Sequence, residues 1–207
     1  MVTIRSISIQ RSMICVTLDN NEQYWLHKSD FYESGLSEGD QVSYHDFLDF
    51  IRLKQYPRAL NHAVSMLAQR AYSKKEIRTR LQYKKFTEEV CELVVYKLEK
   101  ENILNDDEFA DLWIQSRLSR KLGCGVIRRE LKQKGISDEL ISEKLSSVDL
   151  DSHLNNSFLL AQKAWNRMKS GEDIRKSRQK VIQFLVRKGY DWETARNACI
   201  KAESLRK

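Results

Sequence analysis

Apolar residues recur along the chain in one short pattern that is written three times. Each copy has an aliphatic residue, a leucine four positions later and a larger apolar residue five positions after that. The copies are EIRTRLQYKKF at 76–86, VIRRELKQKGI at 126–136 and KVIQFLVRKGY at 180–190. They start 50 and 54 residues apart, a spacing that suits units of about three helices stacked in series. Stacked units bury their apolar faces against neighbours, so we expect an elongated, curved array with a long binding surface.

The first fifty residues follow a different pattern. β-Branched residues alternate with polar ones at 2–10 and 13–18, and a turn separates them from the run QYWLH at 23–27. Alternation predicts strands, here a small two- or three-stranded sheet, and a helical run follows from about 43 to 55. We therefore predict a small N-terminal β module with a helix over residues 1–50.

Helix signals become frequent from residue 57 onward. Pro57 suits the first turn of a helix that runs to about Ala71, with one apolar face formed by Leu60, Val64, Leu67 and Ala68. Ser73 and Glu76 have the spacing of a capping box at the start of the next helix. Polar residues that can cap later helices are Thr87, Asn105, Ser137 and Asp191.

These signals predict a mainly α fold with three tandem three-helix repeats, at 57–104, 105–148 and 153–207. The polar segment 146–157 is predicted to be a flexible joint. A helix at 172–188 is predicted to turn one apolar face inward, formed by Ile174, Val181, Ile182 and Leu185.

Each repeat is predicted to turn between its second and third helices at Lys85, Gly135 or Gly189. Glycine accepts a left-handed backbone there at little cost. Lys85 departs from this rule, so its turn either has another geometry or carries strain.

The net charge of +7 is unevenly distributed. Residues 161–207 carry 13 Lys and Arg against 5 Asp and Glu, a net charge of +8, whereas residues 1–56 have a net charge of −3. A concentrated basic end favours a polyanionic partner, such as nucleic acid or a protein assembly built on it. The alternative is a solvated surface with no partner.

The basic residues fall on the outer faces of the predicted second helices. Lys176, Lys180, Gln183 and Arg187 form a straight stripe in the third repeat, where Glu172 could pair with Lys176. The other predicted contact residues are Arg128, Arg129 and Lys132 in the second repeat and Arg78 in the first. Such cations position a protein on a regular polyanion without reading its sequence.

No motif predicts a catalytic, metal or cofactor site. The carboxylates Asp106, Asp107, Glu108 and Asp111 could serve as acid and base, but they also suit a helix N-terminus. The histidines are isolated and predicted to be structural. The four tryptophans are predicted to pack in the core, and base stacking by any of them is the alternative. Scattered cysteines and the lack of a long apolar run predict a cytoplasmic protein with reduced thiols and no membrane span.

Several stretches resemble the RecX family over about residues 57–207. The residues that carry the resemblance are Ala63, Leu67, Arg70, Ser73, Glu76, Ile77, Leu81, the run LNDDEFADLWIQSR at 104–117, Glu130, Leu131, Gly135, Ile136 and the run FLVRKGY at 184–190. The resemblance implies a monomeric regulator of DNA repair and recombination that binds the RecA filament and its single-stranded or duplex DNA. It implies inhibition of recombinase, ATPase and co-protease activity, without a catalytic centre, metal or cofactor.

Two other functions stay open. Short helices joined by tight turns also suit a nucleic-acid-binding protein with a transcriptional or structural role independent of RecA. An enzyme built on the carboxylates near 106–111 is the third hypothesis.

Overall fold

The structure is a computed structural model that describes residues 1–168 and 173–205. It has two compact units, Met1–Asn105 and Asp106–Lys207. The fold is mainly helical, with three three-helix repeats and a small N-terminal antiparallel sheet. The predicted fold class is therefore confirmed.

The N-terminal module contains a four-stranded antiparallel sheet with the strand order β3-β2-β1-β4. Its strands are β1 (Val2–Gln10), β2 (Met13–Leu18), β3 (Gln23–His27) and β4 (Gln41–Val42). The alternating pattern predicts the first three correctly. It does not predict β4, because that strand has only two residues, which pair with Val2 and Thr3. The short helix α1 (Lys28–Ser34) was also not predicted, and its N-cap is His27.

One long helix, α2 (Tyr44–Leu67), joins the module to the first repeat. The prediction that a helix begins at Pro57 is wrong, since α2 continues through it. Proline removes one helical hydrogen bond, and the carbonyl it leaves unpaired belongs to Leu53. Pro57 is exposed and Leu53 is 68% exposed, so this side of the helix faces water, which can satisfy that carbonyl.

The two ends of α2 belong to different parts of the unit 1 core. Phe47 and Ile51 pack under the sheet, whereas Ala59, Ala63 and Met66 pack in the first repeat. Of the predicted apolar face, Leu60 and Leu67 do pack against the core of the first repeat, whereas Val64, at 45% exposed, and Ala68 face water.

The first repeat is completed by α3 (Lys74–Tyr83) and α4 (Glu88–Lys100). The predicted capping box is confirmed: Glu76 N donates to Ser73 Oγ, and Ser73 N donates to Glu76 Oε2, both at 3.2 Å. Thr87 is the N-cap of α4 but makes no side-chain capping bond.

Unit 2 contains the second and third repeats. Their helices are α5 (Asp106–Ser119), α6 (Cys124–Gln133), α7 (Asp138–Ser146), α8 (Leu150–Trp165), α9 (Ile174–Arg187) and α10 (Trp192–Ser204). Ser137 and Asp191 cap α7 and α10 as predicted, by accepting from Leu140 N and Thr194 N.

Two predictions in unit 2 are wrong. The segment predicted as a joint is mostly helical, because the Asp149 carboxylate accepts from Ser152 N at 3.0 Å and begins α8 at Leu150. Ile174 lies at the start of α9, before the first buried turn, and is 58% exposed rather than facing the core. The buried face of α9 is Ser177, Val181 and Leu185.

The turn near the end of each pattern copy has the same geometry in all three repeats. The φ angles are 70° at Lys85, 83° at Gly135 and 97° at Gly189. In each copy the next residue donates its N–H to the carbonyl of the pattern leucine, at 3.3, 3.1 and 3.2 Å. This bond completes a left-handed helix ending of the Schellman type. Lys85 therefore adopts the backbone that glycine adopts elsewhere.

Candidate polyanion-binding surface

The basic stripe predicted on the third repeat lies on the exposed side of α9. Lys176, Lys180, Gln183 and Arg187, here called the α9 stripe, are all exposed. The buried face of α9 is occupied by small and aliphatic residues, which leaves the long polar side chains toward water. The predicted pairing of Lys176 with Glu172 lies outside the described residues.

Arg187 lies between two surface depressions. The first, called the α9 groove, has a volume of about 660 Å³, and its lining residues include Arg175, Gln179, Gln183, Arg187 and Trp192. The second, called the junction pocket, has a volume of about 640 Å³, and its lining residues include Cys124, Arg129, His153, Arg187 and Asp191. The structure therefore brings together Arg129 of the second repeat and Arg187 of the third.

Arg129 and Arg187 are both exposed, and neither has an ion-pair partner within 1–168 and 173–205. Asp191 also lines this pocket, but two exposed guanidinium groups without an ion pair still attract anions, because each offers several donors to phosphate or carboxylate.

A junction of three glycines fixes the second repeat against the third. Gly123 N donates to Lys188 O, and Gly125 N donates to Gly189 O, both at 2.9 Å. A Cβ on Gly123 would lie 2.4 Å from the carbonyl carbon of Gly189, so the two backbones leave no room for a side chain. This contact holds the start of α6 against the α9–α10 turn. Arg129 follows two of these glycines and Arg187 precedes the third, so the junction holds the backbones that carry the two arginines against each other.

The sequence did not predict this junction. Two glycines around a helix start, with a third at a later turn, are a signal for close backbone approach, but nothing local says which turn they meet.

Three uncharged side chains that are buried or half-buried, Cys124, His153 and Tyr190, line the junction pocket. His153 Nδ1 is 3.8 Å from Cys124 Sγ, and the His153 ring centroid is 4.8 Å from that of Tyr190. Burial lowers the pKa of His153, although Asp191 acts in the opposite direction. Burial also raises the pKa of the Cys124 thiol and raises the pKa of Tyr190 to about 12. Tyr190 donates its hydroxyl hydrogen to Lys121 O at 3.0 Å.

Three other predicted contact residues are engaged inside their own repeats. Lys132 pairs with Asp138 at 2.7 Å, and Arg128 donates to Ser142 Oγ at 3.0 Å. Arg78 pairs with Glu92, which raises the pKa of the arginine.

Arg78 and Arg128 occupy the same position in the pattern, and each partner follows fourteen residues later. Both arginines connect the second helix of a repeat to the third. Arg78 is less exposed than a solvent-facing contact residue would be, because it is half-buried against Glu92 of α4.

The acidic cluster at the start of α5 is held by a lysine. Lys144 Nζ on α7 lies 2.7 Å from both Asp107 Oδ1 and Asp111 Oδ2. The two carboxylates raise the pKa of Lys144. The cluster therefore connects α5 to α7 and is not a pair of free carboxylates. The described ranges contain no group of three or more His, Cys, Asp or Glu able to hold a metal ion.

The tryptophans differ in burial. Trp165 is 1% exposed and donates to Cys199 O at 3.1 Å, as expected of a core residue. Trp113 is half-buried beneath the Arg117 guanidinium, 3.7 Å from the ring centroid. Trp192 is 62% exposed, so the prediction that all four pack in the core is wrong.

Over the stretches that the structure describes, no helix is long and apolar enough to cross a bilayer.

Comparison with protein families identifies three matching segments. Models of the first, second and third three-helix domains of RecX match residues 59–98, 105–145 and 158–199.

Two relatives match nearly the whole chain. Regulatory protein RecX of Clostridium acetobutylicum is 30% identical over 196 residues, covering 92% of this chain and 91% of that protein. Regulatory protein RecX of Clostridium perfringens strain 13 is 28% identical over 194 residues, with the same two coverages.

Two solved structures have a similar fold. A crystal structure of regulatory protein RecX superposes with a TM-score of 0.65 and 22% identity, covering 94% of this chain and 97% of that one. RecX from Lactobacillus salivarius superposes with a TM-score of 0.66 and 22% identity, covering 72% of this chain and 97% of that one.

Proposed function

The chain belongs to the RecX family of regulatory proteins, and from that premise we propose that it binds RecA–DNA filaments and inhibits their activity. In this proposal the protein acts in the cytoplasm as a monomer and limits recombination, ATP hydrolysis and co-protease activity. It does so by occupying the filament, without catalysis, metal or cofactor.

The observation that carries the proposal is the pair of exposed arginines at the junction pocket. Arg129 and Arg187 come from different repeats, yet the glycine junction holds the backbones that carry them against each other before any partner binds. Preorganised cations bind a regular polyanion with less loss of conformational entropy than mobile ones. A filament with a repeating negative surface suits such a fixed arrangement.

The α9 stripe extends the same basic surface along one helix. Lys176, Lys180 and Arg187 are exposed on the third repeat, where the basic excess of the chain is concentrated. Arg78, Arg128 and Lys132 already have partners in their own repeats. We assign the filament contacts to Lys176, Lys180, Arg187 and Arg129, because these cations are exposed on the α9 stripe and at the junction pocket.

Co-sedimentation with RecA filaments on single-stranded DNA tests the assignment. The variant combining Lys176→Glu, Lys180→Glu and Arg187→Glu should sediment far less and show a weaker dependence on salt. The matched control combines Lys100→Glu, Arg120→Glu and Lys163→Glu, which changes the net charge equally at exposed positions elsewhere. Equal sedimentation of the two variants contradicts the assignment.

The alternative, a nucleic-acid-binding protein that works without RecA, predicts a different result. It requires sequence-selective binding to duplex DNA in a gel shift with no RecA present. Dependence of binding on RecA supports the filament proposal instead.

A further inference from the structure

Trp192 is an exposed aromatic residue at the edge of a basic groove. It is the first residue of α10 and is 62% exposed, and its ring lines the α9 groove. Burying a large aromatic ring is favourable, and an exposed ring does not gain this free energy. An exposed tryptophan within a groove therefore indicates a contact that forms with a ligand.

The groups around this ring are cationic or neutral. Arg175 and Arg187 line the groove, and neither has an ion-pair partner among the residues the structure covers. The Arg196 guanidinium lies 5.6 Å from the centroid of the Trp192 ring. Arg178, by contrast, is neutralised by Glu203 through two hydrogen bonds.

Nearby carboxylates do not cancel this charge inside the groove. No Asp or Glu lines the α9 groove within the described ranges. The Asp191 carboxylate lies beside the junction pocket, where it caps α10 by accepting from Thr194 N at 2.8 Å. The groove therefore combines a flat aromatic surface, free guanidinium groups and the amide side chains of Gln179 and Gln183.

This combination matches one class of polyanion. An acidic peptide supplies charge but does not carry a flat ring in every residue, and in a duplex the base faces are already stacked on one another. A single strand offers both phosphates for arginine and unstacked bases for an aromatic ring.

The α9 groove and the junction pocket together form a path along which a single nucleic-acid strand could lie. Val186 and Arg187 line both the α9 groove and the junction pocket. A phosphate at Arg187 would lie between them, with a base on one side at Trp192 and the next phosphate on the other side at Arg129. Each volume lies within the roughly 300–1,000 Å³ range of small-ligand sites.

We propose that the α9 groove binds single-stranded DNA, with one base stacked on Trp192 and the adjoining phosphate held by Arg187. This inference rests on the proposed function and names the part of the filament that the third repeat contacts. It assigns the contact to the DNA strand rather than to protein.

The test measures binding of the full-length protein to a fluorescein-labelled oligothymidylate by anisotropy, without RecA. Trp192→Ala should weaken binding about tenfold, and Trp192→Phe, which keeps a flat ring, should retain most of it. Tyr96→Ala removes an aromatic ring that is 63% exposed in unit 1 and should have no effect. Unlabelled single strands should compete better than duplex DNA of the same length.

The outcomes separate this inference from the proposed function. Equal affinity of the wild type and Trp192→Ala overturns the inference. So does absence of oligothymidylate binding while RecA filaments still co-sediment with the protein, and in that case the proposed function stands. Oligothymidylate binding that depends on Trp192, together with no co-sedimentation on filaments, supports the inference and overturns the proposed function.

Discussion

Gly123 and Gly189 approach so closely that a Cβ on Gly123 would lie 2.4 Å from the carbonyl carbon of Gly189. The contact joins the start of α6 to the turn between α9 and α10. It also brings Arg129 and Arg187, which are 58 positions apart in the sequence, to one pocket. The position of the basic surface therefore depends on two residues that carry no side chain.

Replacing Gly123 by alanine should destabilise unit 2. The added Cβ would meet backbone atoms of Gly189 and Tyr190, which cannot move aside as a flexible side chain can. The two backbones must therefore move apart. Overpacking of this kind costs about 1–3 kcal/mol. Urea unfolding measures this loss in the free energy of unfolding. Gly39→Ala is the control, since nothing lies within 4 Å of a Cβ at that position. The control should lose only about 1 kcal/mol, from its left-handed backbone. A Gly123→Ala variant as stable as the wild type would show that the junction is not tightly packed.

Replacing Lys85 by glycine should stabilise unit 1. Lys85 has φ 70°, a conformation that costs a non-glycine residue about 1 kcal/mol. The Lys85 ammonium lies 5.6 Å from the Trp25 ring centroid, and losing this contact offsets part of the gain. Lys84→Gly is the matched comparison, because φ is −78° there and glycine brings only its entropic cost. The thermal midpoint of Lys85→Gly should be higher than that of the wild type, and the midpoint of Lys84→Gly should be lower. The reverse order would refute the claim that the Lys85 backbone is strained.

Protonation of His153 should destabilise unit 2 in mild acid. Burial lowers the pKa of His153 below its ordinary value of 6.5, so the unfolded state binds more protons than the folded state. The contribution to stability is therefore complete above pH 6.5 and is lost as the pH falls through the lowered pKa. The groups that face the ring are Cys124, Tyr190 and Asp191.

Unfolding of wild type and His153→Gln between pH 7 and pH 5 measures this effect. The variant should show a smaller loss of stability over that range. His62→Gln is the comparison, because burial also lowers the pKa of His62 in unit 1, and it should leave the pH dependence of unit 2 intact. An unchanged pH dependence in His153→Gln would contradict the assignment.

Neutralising Lys144 should separate α5 from α7. Lys144→Met leaves the Asp107 and Asp111 carboxylates without their shared cation, so the thermal midpoint of unit 2 should fall. Adding Asp107→Asn and Asp111→Asn to that variant should restore part of the loss, since the repulsion between the two carboxylates is then removed.

Asp107→Asn alone should retain filament binding and RecA inhibition in full. Loss of a defined chemical activity in that variant would revive the enzyme hypothesis.

Local signals in the sequence predicted much of the fold. Ser73, Ser137 and Asp191 cap helices as predicted, because a capping bond forms within a few residues of the chain. Eight of the nine pattern positions are buried and Phe86 is partly buried, and all three copies contain the same left-handed helix ending.

Features that depend on distant residues were not predictable in this way. Whether a helix continues through Pro57 depends in part on whether the freed carbonyl can meet water, and burial is decided by the tertiary fold. The partner of Arg78 is Glu92 on another helix, so the sequence pattern alone placed Arg78 on the outer face. Trp192 looked like a core residue, because a single sequence does not show which helix faces remain uncovered.

The most direct test of the account is the rate of ATP hydrolysis by RecA on single-stranded DNA. The wild-type protein should suppress this rate, and the control combining Lys100→Glu, Arg120→Glu and Lys163→Glu should suppress it equally. The variant combining Lys176→Glu, Lys180→Glu and Arg187→Glu should leave the rate close to that of RecA alone, with helicity unchanged. Full suppression by that variant would contradict the claim that the α9 stripe docks the protein on the filament.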